Sequence, residues 1–262
     1  MSQINLRWEG RFGNQCMQYL HAKAYARHHG CELRVPKDRT DKVFVIPELE
    51  PEQDLPCVQD WDLYDRVDIT IDGYALHQDA MTYTRKEARE WLRFRPEIQE
   101  KLDALPKHSD KLFHVRRGDY VWSDYILVSG ASYINAARQF GYDPLEFDVI
   151  EEAKAEFRPQ PFENALSFVP DFWRLMQAKI LFRSNSTFPW VAALLGNAEH
   201  VYSPTVAGMK SAKQADLVGI PQDVPFVEGN WPAISWQHDH CTDLHVREEL
   251  AFHPYPRDTT SG

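Results

Sequence analysis

Two arginines stand side by side in Phe113-His114-Val115-Arg116-Arg117-Gly118-Asp119-Tyr120, where an apolar run gives way to polar residues. A guanidinium fork can hold two oxygens of a diphosphate and stabilise the negative charge that builds as a group departs, a task other enzymes give to Mg²⁺. Neighbouring side chains of an extended chain point to opposite faces, so Arg116 and Arg117 do different work. One meets phosphate, and the other pairs with Asp119 or supports the fold. Taken alone, the segment also reads as a surface arginine pair with a salt bridge. A second segment, Ser184-Asn185-Ser186-Thr187-Phe188, precedes Pro189 and an apolar run. It offers hydroxyls and backbone N–H groups at a helix N-terminus, where exposed donors and the dipole favour anions, although simple capping asks for the same residues. The third segment is Gly10-Arg11-Phe12-Gly13-Asn14-Gln15. Its glycines allow close backbone approach to a sugar or diphosphate, with Asn14 donating a hydrogen bond, or they merely permit a tight turn.

The elements around these turns alternate. Ile4, Leu6 and Trp8 alternate as in a strand; Cys16, Leu20 and Ala24 recur at helical spacing until Gly30; Cys31, Leu33 and Val35 alternate again. This predicts a βαβ unit. Val67, Ile69 and Ile71 predict a further strand before Gly73, and Lys86 to Leu105 a helix broken at Pro96. A strand is expected over Lys111 to Val115, helices over Ser132 to Phe140 and Pro170 to Ala178, a strand over Ile180 to Phe182, and a helix from Trp190 to a stop at Gly196. Strands alternating with helices in both halves predict an α/β fold: two Rossmann-type lobes with parallel sheets, facing a central cleft, with ligands at the carboxyl ends of the strands. The polar segment Lys107 to Asp110 marks the expected boundary. That gives lobes over 1–107 and 108–252 and a mobile tail over 253–262.

Composition limits the partners. The 262 residues carry a net charge of −10, with 43% hydrophobic, 26% charged and 13% aromatic residues, as expected of a packed globular chain without generic affinity for nucleic acid or anionic membrane. An anionic ligand must therefore be gripped locally. Cys16, Cys31, Cys57 and Cys241 lack paired spacing and read as reduced thiols; with no leader-like opening and no apolar run of spanning length, a cytoplasmic location without an integral membrane segment is expected. Oligomeric state is not legible.

Together, in order and spacing, the three turns resemble the α-1,2-fucosyltransferase family, through Gly13-Asn14-Gln15, His114 to Val121, and Ser184 to Phe188. The Gly10 to Gln15 turn is also similar to that of protein O-fucosyltransferases, and Gly73-Tyr74 with Gln78 and the Arg93-Phe94-Arg95 region looks like a further family segment. The resemblance covers roughly residues 4 to 204. It implies a GT-B-like fold, an acceptor-side N-terminal lobe, a nucleotide-sugar-binding C-terminal lobe, GDP-fucose as donor, inversion at the anomeric carbon, and no cofactor or obligatory metal. It further implies that Arg116 is the key diphosphate contact, that His114 and Asp119 organise the cleft, and that Ser186, Thr187 and Phe188 bound the nucleotide, with Asn185 and Arg117 in the same donor site. Asp171 is similar in place to an acidic residue that reads guanine, and a carboxylate suits the paired N–H donors of that base; an N-cap after Pro170 would also explain it. Where the family has a Ser-Asp-Asp-like turn this chain has Phe147 to Glu152, and Cys16-Met17-Gln18-Tyr19 replaces Met-Phe-Gln-Tyr.

The expected activity is transfer of L-fucose to a sugar hydroxyl of a glycan acceptor, with galactose O2 one candidate. Another nucleotide sugar, or a silent glycan-binding protein of the same fold, are the other readings. A base for the acceptor hydroxyl is sought in the order Asp119, Asp124, Glu9, unless the leaving phosphate takes the proton. Asp124 matches the position of a catalytic acidic residue in some α-1,6-fucosyltransferases. Asp60-Trp61-Asp62 has the form of a DxD metal motif, but no strand reads clearly before it. His238-Asp239-His240-Cys241 with His245 does not match a structural zinc spacing and reads as a polar loop. Of Trp122, Tyr125, Trp231 and Trp236, only Trp122 is expected to stack on a sugar; burial is the commoner use of such rings.

Overall fold

The computed structural model describes residues 1–75, 83–116, 128–151, 164–206 and 234–238. The chain divides into two compact units, the second beginning at Pro96. The division precedes the polar segment Lys107 to Asp110, because the helix that opens at Pro96 buries Ile98 and Leu102 and goes with the second unit.

The first unit is a parallel sheet of β1 (Gln3–Leu6), β2 (Glu32–Arg34), β3 (Cys57–Gln59) and β4 (Ile69–Asp72), in the order β2-β1-β4-β3. The helix α1 (Phe12–His29) joins β1 to β2, completing the βαβ unit. It begins four residues before Cys16, the first residue of the apolar spacing, so Gly13, Asn14 and Gln15 belong to its first turn. Cys16, Leu20 and Ala24 are wholly buried, and the helix ends where Gly30 adopts φ 62° and Cys31 N–H bonds Ala26 O at 2.9 Å. Helices α2 (Arg39–Val43) and α3 (Arg85–Trp91) complete the unit. The capping box between Thr84 and Glu87 starts α3.

The second unit opens with α4 (Pro96–Asp103) and contains β5 (Lys111–Val115), α5 (Gly130–Gln139), β6 (Asp148–Glu151), α6 (Val169–Gln177), β7 (Ile180–Phe182), α7 (Thr187–Leu195), β8 (His200–Val206) and β9 (Ile234–His238). The sheet order is β6-β5-β7-β8-β9; β5 to β8 run parallel and β9 antiparallel. From β5 the chain returns through α5 to β6 on one side, and from β7 through α7 to β8 on the other. The connections diverge between β5 and β7, which makes that gap the topological switch point at which open α/β sheets bind ligands. One face of the sheet carries an aromatic core, with Phe113 stacked on Phe147 at 4.4 Å and Phe182 on Tyr202 at 4.5 Å. Trp236 belongs to that core, 4.8 Å from Tyr133, and donates from Nε1 to Ser132 Oγ at 2.9 Å. Burial, not sugar stacking, accounts for this tryptophan.

Candidate functional site

Alternation along β5 sorts its residues. Phe113 and Val115 enter the aromatic core, whereas His114 faces the other way, toward the turn that follows β7. Its Nδ1 shares a 2.9 Å hydrogen bond with Ser184 Oγ, its ring lies 6.0 Å from Phe188, and its carbonyl accepts from Tyr133 OH at 2.8 Å. Burial pushes the imidazole down to about 3, helped by the charges of Arg116 and Arg183, so His114 is neutral at physiological pH. It can hold a hydrogen-bond partner in place but cannot supply a positive charge. Two residues further, half-buried Arg116 leaves the strand on the same side, within electrostatic reach of His114.

Across the switch point, Ser184, Asn185, Ser186 and Thr187 are all buried. Ser186 is the N-cap of α7, with its hydroxyl accepting from Phe188 N–H at 3.4 Å. Pro189 follows within the first helical turn, where its missing N–H costs nothing. The bland capping role is thus real, and it is performed at the carboxyl end of β7, next to β5. An anion in this gap would meet the guanidinium of Arg116 and the amino end of α7.

Helix α6 adds Phe172 and Phe168, 5.2 and 6.1 Å from Phe188. Asp171 is not the N-cap of that helix: Phe168 holds the position, and Asp171 lies in the first turn, 4.0 Å from Arg174. The capping explanation for Asp171 therefore falls, because the helix starts two residues earlier. Arg117, Asp119, Trp122 and Asp124 lie outside the described residues, as do Gln78, Tyr125, Glu152, Trp231, Cys241, His245 and the 253–262 tail.

The glycine turn of the first unit is held by two buried glutamines. Gln15 donates to Asp38 Oδ2 at 2.6 Å and accepts from Thr40 Oγ1 at 2.9 Å. Gln18 donates to Gly73 O at 2.8 Å and to Glu9 O at 3.2 Å, and accepts from Glu9 N–H at 3.1 Å. Gly10 adopts φ 69°, and a Cβ there would stand 2.2 Å from Asn14 Nδ2. Its glycine identity is thus required both by the left-handed backbone and by the side chain of Asn14. Gln18 ties the turn after β1 to the Gly73–Ala75 segment after β4, at the carboxyl ends of two neighbouring parallel strands. Tyr74, half exposed, stands beside Gly10.

A strand does precede Asp60-Trp61-Asp62, contrary to the sequence reading, since β3 ends at Gln59. It escaped notice because three residues are too few to show alternation. The motif is nonetheless structural: Asp60 is buried and its carboxylate accepts from Ala75 N–H, while Asp62 lies 3.8 Å from Arg66. Among the described residues no group of three or more His, Cys, Asp or Glu side chains is arranged to hold a metal. No helix among them is long and apolar enough to cross a membrane.

Sequence reasoning missed Arg183. It follows β7 directly, is wholly buried, and donates from Nη1 to the carbonyl of Ser184 at 3.1 Å. Its position between Phe182 and the serine turn was the available signal, since a charged residue ending a buried strand needs a reason.

No known sequence family and no curated protein sequence matches the chain. Solved structures do. NodZ α-1,6-fucosyltransferase soaked with GDP-fucose aligns with a TM-score of 0.51 at 14% identity, covering 77% of this chain and 94% of that one. NodZ co-crystallised with GDP aligns at 0.52 with 13% identity, covering 91% and 99%. The fold is GT-B-like. At such identities the likeness is one of architecture.

Proposed function

We propose that this protein is an inverting, metal-independent glycosyltransferase that moves L-fucose from GDP-fucose to a sugar hydroxyl of a glycan, with galactose O2 one candidate acceptor position. One observation carries the reading. Arg116 follows β5 directly at the switch point of the second sheet, where His114 of β5 bonds Ser184 and where open α/β sheets commonly bind ligands. The fold it shares with GDP- and GDP-fucose-bound NodZ supports the choice of donor.

In this reading Arg116 takes the diphosphate oxygens and stabilises the charge released as the sugar departs. The neutral His114 holds Ser184, so that the amino end of α7 presents its N–H groups, with Asn185, Ser186 and Thr187, to the nucleotide. Phe188 closes one side, Asp171 reads guanine, and Arg117, Asp119 and Asp124 are assigned to the same donor site. Gly13, Asn14 and Gln15 of the first unit are assigned donor binding in the same reading, with Gln15 held through Asp38 and Thr40. Cys16, Cys31 and Cys57 form no disulfide among the described residues.

The test is a thermal-shift series of the EDTA-treated protein with GDP, UDP and ADP, repeated on Arg116→Ala. Stabilisation by GDP alone, lost in the variant, is the expected result. Stabilisation by UDP would remove fucose from the reading, and silence toward every nucleotide would remove the enzyme.

A further inference from the structure

Arg183 poses a physical question, because a fully buried guanidinium gives up its hydration, a cost that an apolar side chain of similar volume would avoid. Its surroundings give the answer. The residue sits at the carboxyl end of β7, on the strand neighbouring β5, and its Nη1 bonds the carbonyl of Ser184 at 3.1 Å. Ser184 in turn holds His114 at 2.9 Å. One residue further, the chain enters Asn185 and the N-cap of α7. Arg116 and Arg183, each directly after its strand, both lie within electrostatic reach of the buried imidazole.

We infer that Arg183 is a positioning residue of the anion site: it fixes the Ser184–Thr187 turn from behind through the Ser184 carbonyl and lends its charge to the diphosphate bound in front. The inference rests on the donor reading above and deepens it. Solvent cannot reach Arg183, so its bond to the turn is made before any ligand arrives, and the turn is preorganised without cost at the moment of binding. Its charge acts through protein and is therefore weakly screened. A diphosphate, with two or more negative charges, profits from this more than a monophosphate, and a nucleoside profits least. The contribution should consequently appear as discrimination along the series GDP, GMP, guanosine.

The experiment is titration calorimetry of GDP, GMP and guanosine against the full chain and the variants Arg183→Met and Arg183→Lys, each first shown to melt cooperatively. In Arg183→Met the ratio of GDP to guanosine affinity is expected to fall roughly ten- to a hundredfold, as for loss of a charged hydrogen-bonding group. Arg183→Lys, which keeps the charge, should recover part of the ratio. A folded Arg183→Met whose ratio equals that of the wild type overturns the inference while leaving the donor reading intact. So does an equal loss for all three ligands, since that is what general distortion of the fold would produce. Should Arg183→Met fail to fold, the ratio in Arg183→Lys decides: a value below the wild type, reached with guanosine affinity unchanged, supports the role, and an unaltered ratio refutes it. A wild type that ignores GDP removes the donor reading, and this inference with it.

Discussion

An imidazole in the unfolded chain takes its proton near 6.5, whereas burial, Arg116 and Arg183 push folded His114 down to about 3. Between these values the unfolded chain carries a proton that the folded protein refuses. Stability therefore falls as pH drops below 6.5, returns as pH rises, and is flat above. From about pH 7.5 to about pH 5, His114 alone should cost about 2 kcal/mol, from a slope of about 1.4 kcal/mol per pH unit over roughly one and a half units. Other groups titrate in the same range, His29 among them, whose imidazole is also held down by burial. They are removed by difference. Urea unfolding of wild type and His114→Asn at both pH values gives four stabilities. Asparagine can keep a hydrogen bond to Ser184 near the Nδ1 position, and any cavity it leaves costs the same at each pH. The wild type should lose about 2 kcal/mol more than the variant on acidification. Equal losses would mean that folded His114 accepts its proton normally, and the picture of a neutral, buried imidazole under the influence of two arginine charges would be wrong.

Gly10→Ala should destabilise the first unit by roughly 2 kcal/mol or more, combining the strain of a left-handed alanine with displacement of Asn14. Adding Asn14→Ala should relieve the steric part in a double-mutant cycle measured by urea unfolding. Asp60→Ala should cost roughly 1–3 kcal/mol by abandoning the buried Ala75 N–H. The loss should be the same with EDTA or Mg²⁺, because this aspartate serves backbone and not metal. Gln18→Ala should cost at least as much, since it strands the backbone of Glu9 and leaves Gly73 O without its amide, and calorimetric melting would detect it. Trp236→Ala should lower stability by roughly 3–5 kcal/mol through loss of the aromatic core, without altering the ratio of GDP to guanosine binding.

Strands β5 and β7 were legible over the residues they occupy, because each is a short apolar run bounded by polar residues. Helix α1 was legible in its body and misread at its start: Gly13 and Asn14 look like turn residues, yet Arg11 O already accepts the Gln15 N–H at 3.0 Å. The β3 strand carried too little pattern to be seen. Of the candidate site, Arg116, His114 and the serine turn were singled out because guanidinium, imidazole and capping hydroxyls are conspicuous side chains at element ends. Arg183 stood beside them and was passed over, since its one signal, a charge directly after a short apolar strand, reveals burial only once that strand is packed inside the sheet.

The sequence by itself determined the kinds of element and their order, through local periodicity and capping chemistry acting over a few residues. It also determined that any anion site must be local, because a chain of net charge −10 cannot attract phosphate globally. Only the tertiary structure decided the strand order β6-β5-β7-β8 and therefore which two loops share a switch point. It brought His114 against Ser184, seventy residues away along the chain. It turned Asp60 inward to Ala75 and made the imidazole neutral. Pairing of distant strands and exclusion of water are cooperative properties of the packed chain, and no residue carries them alone.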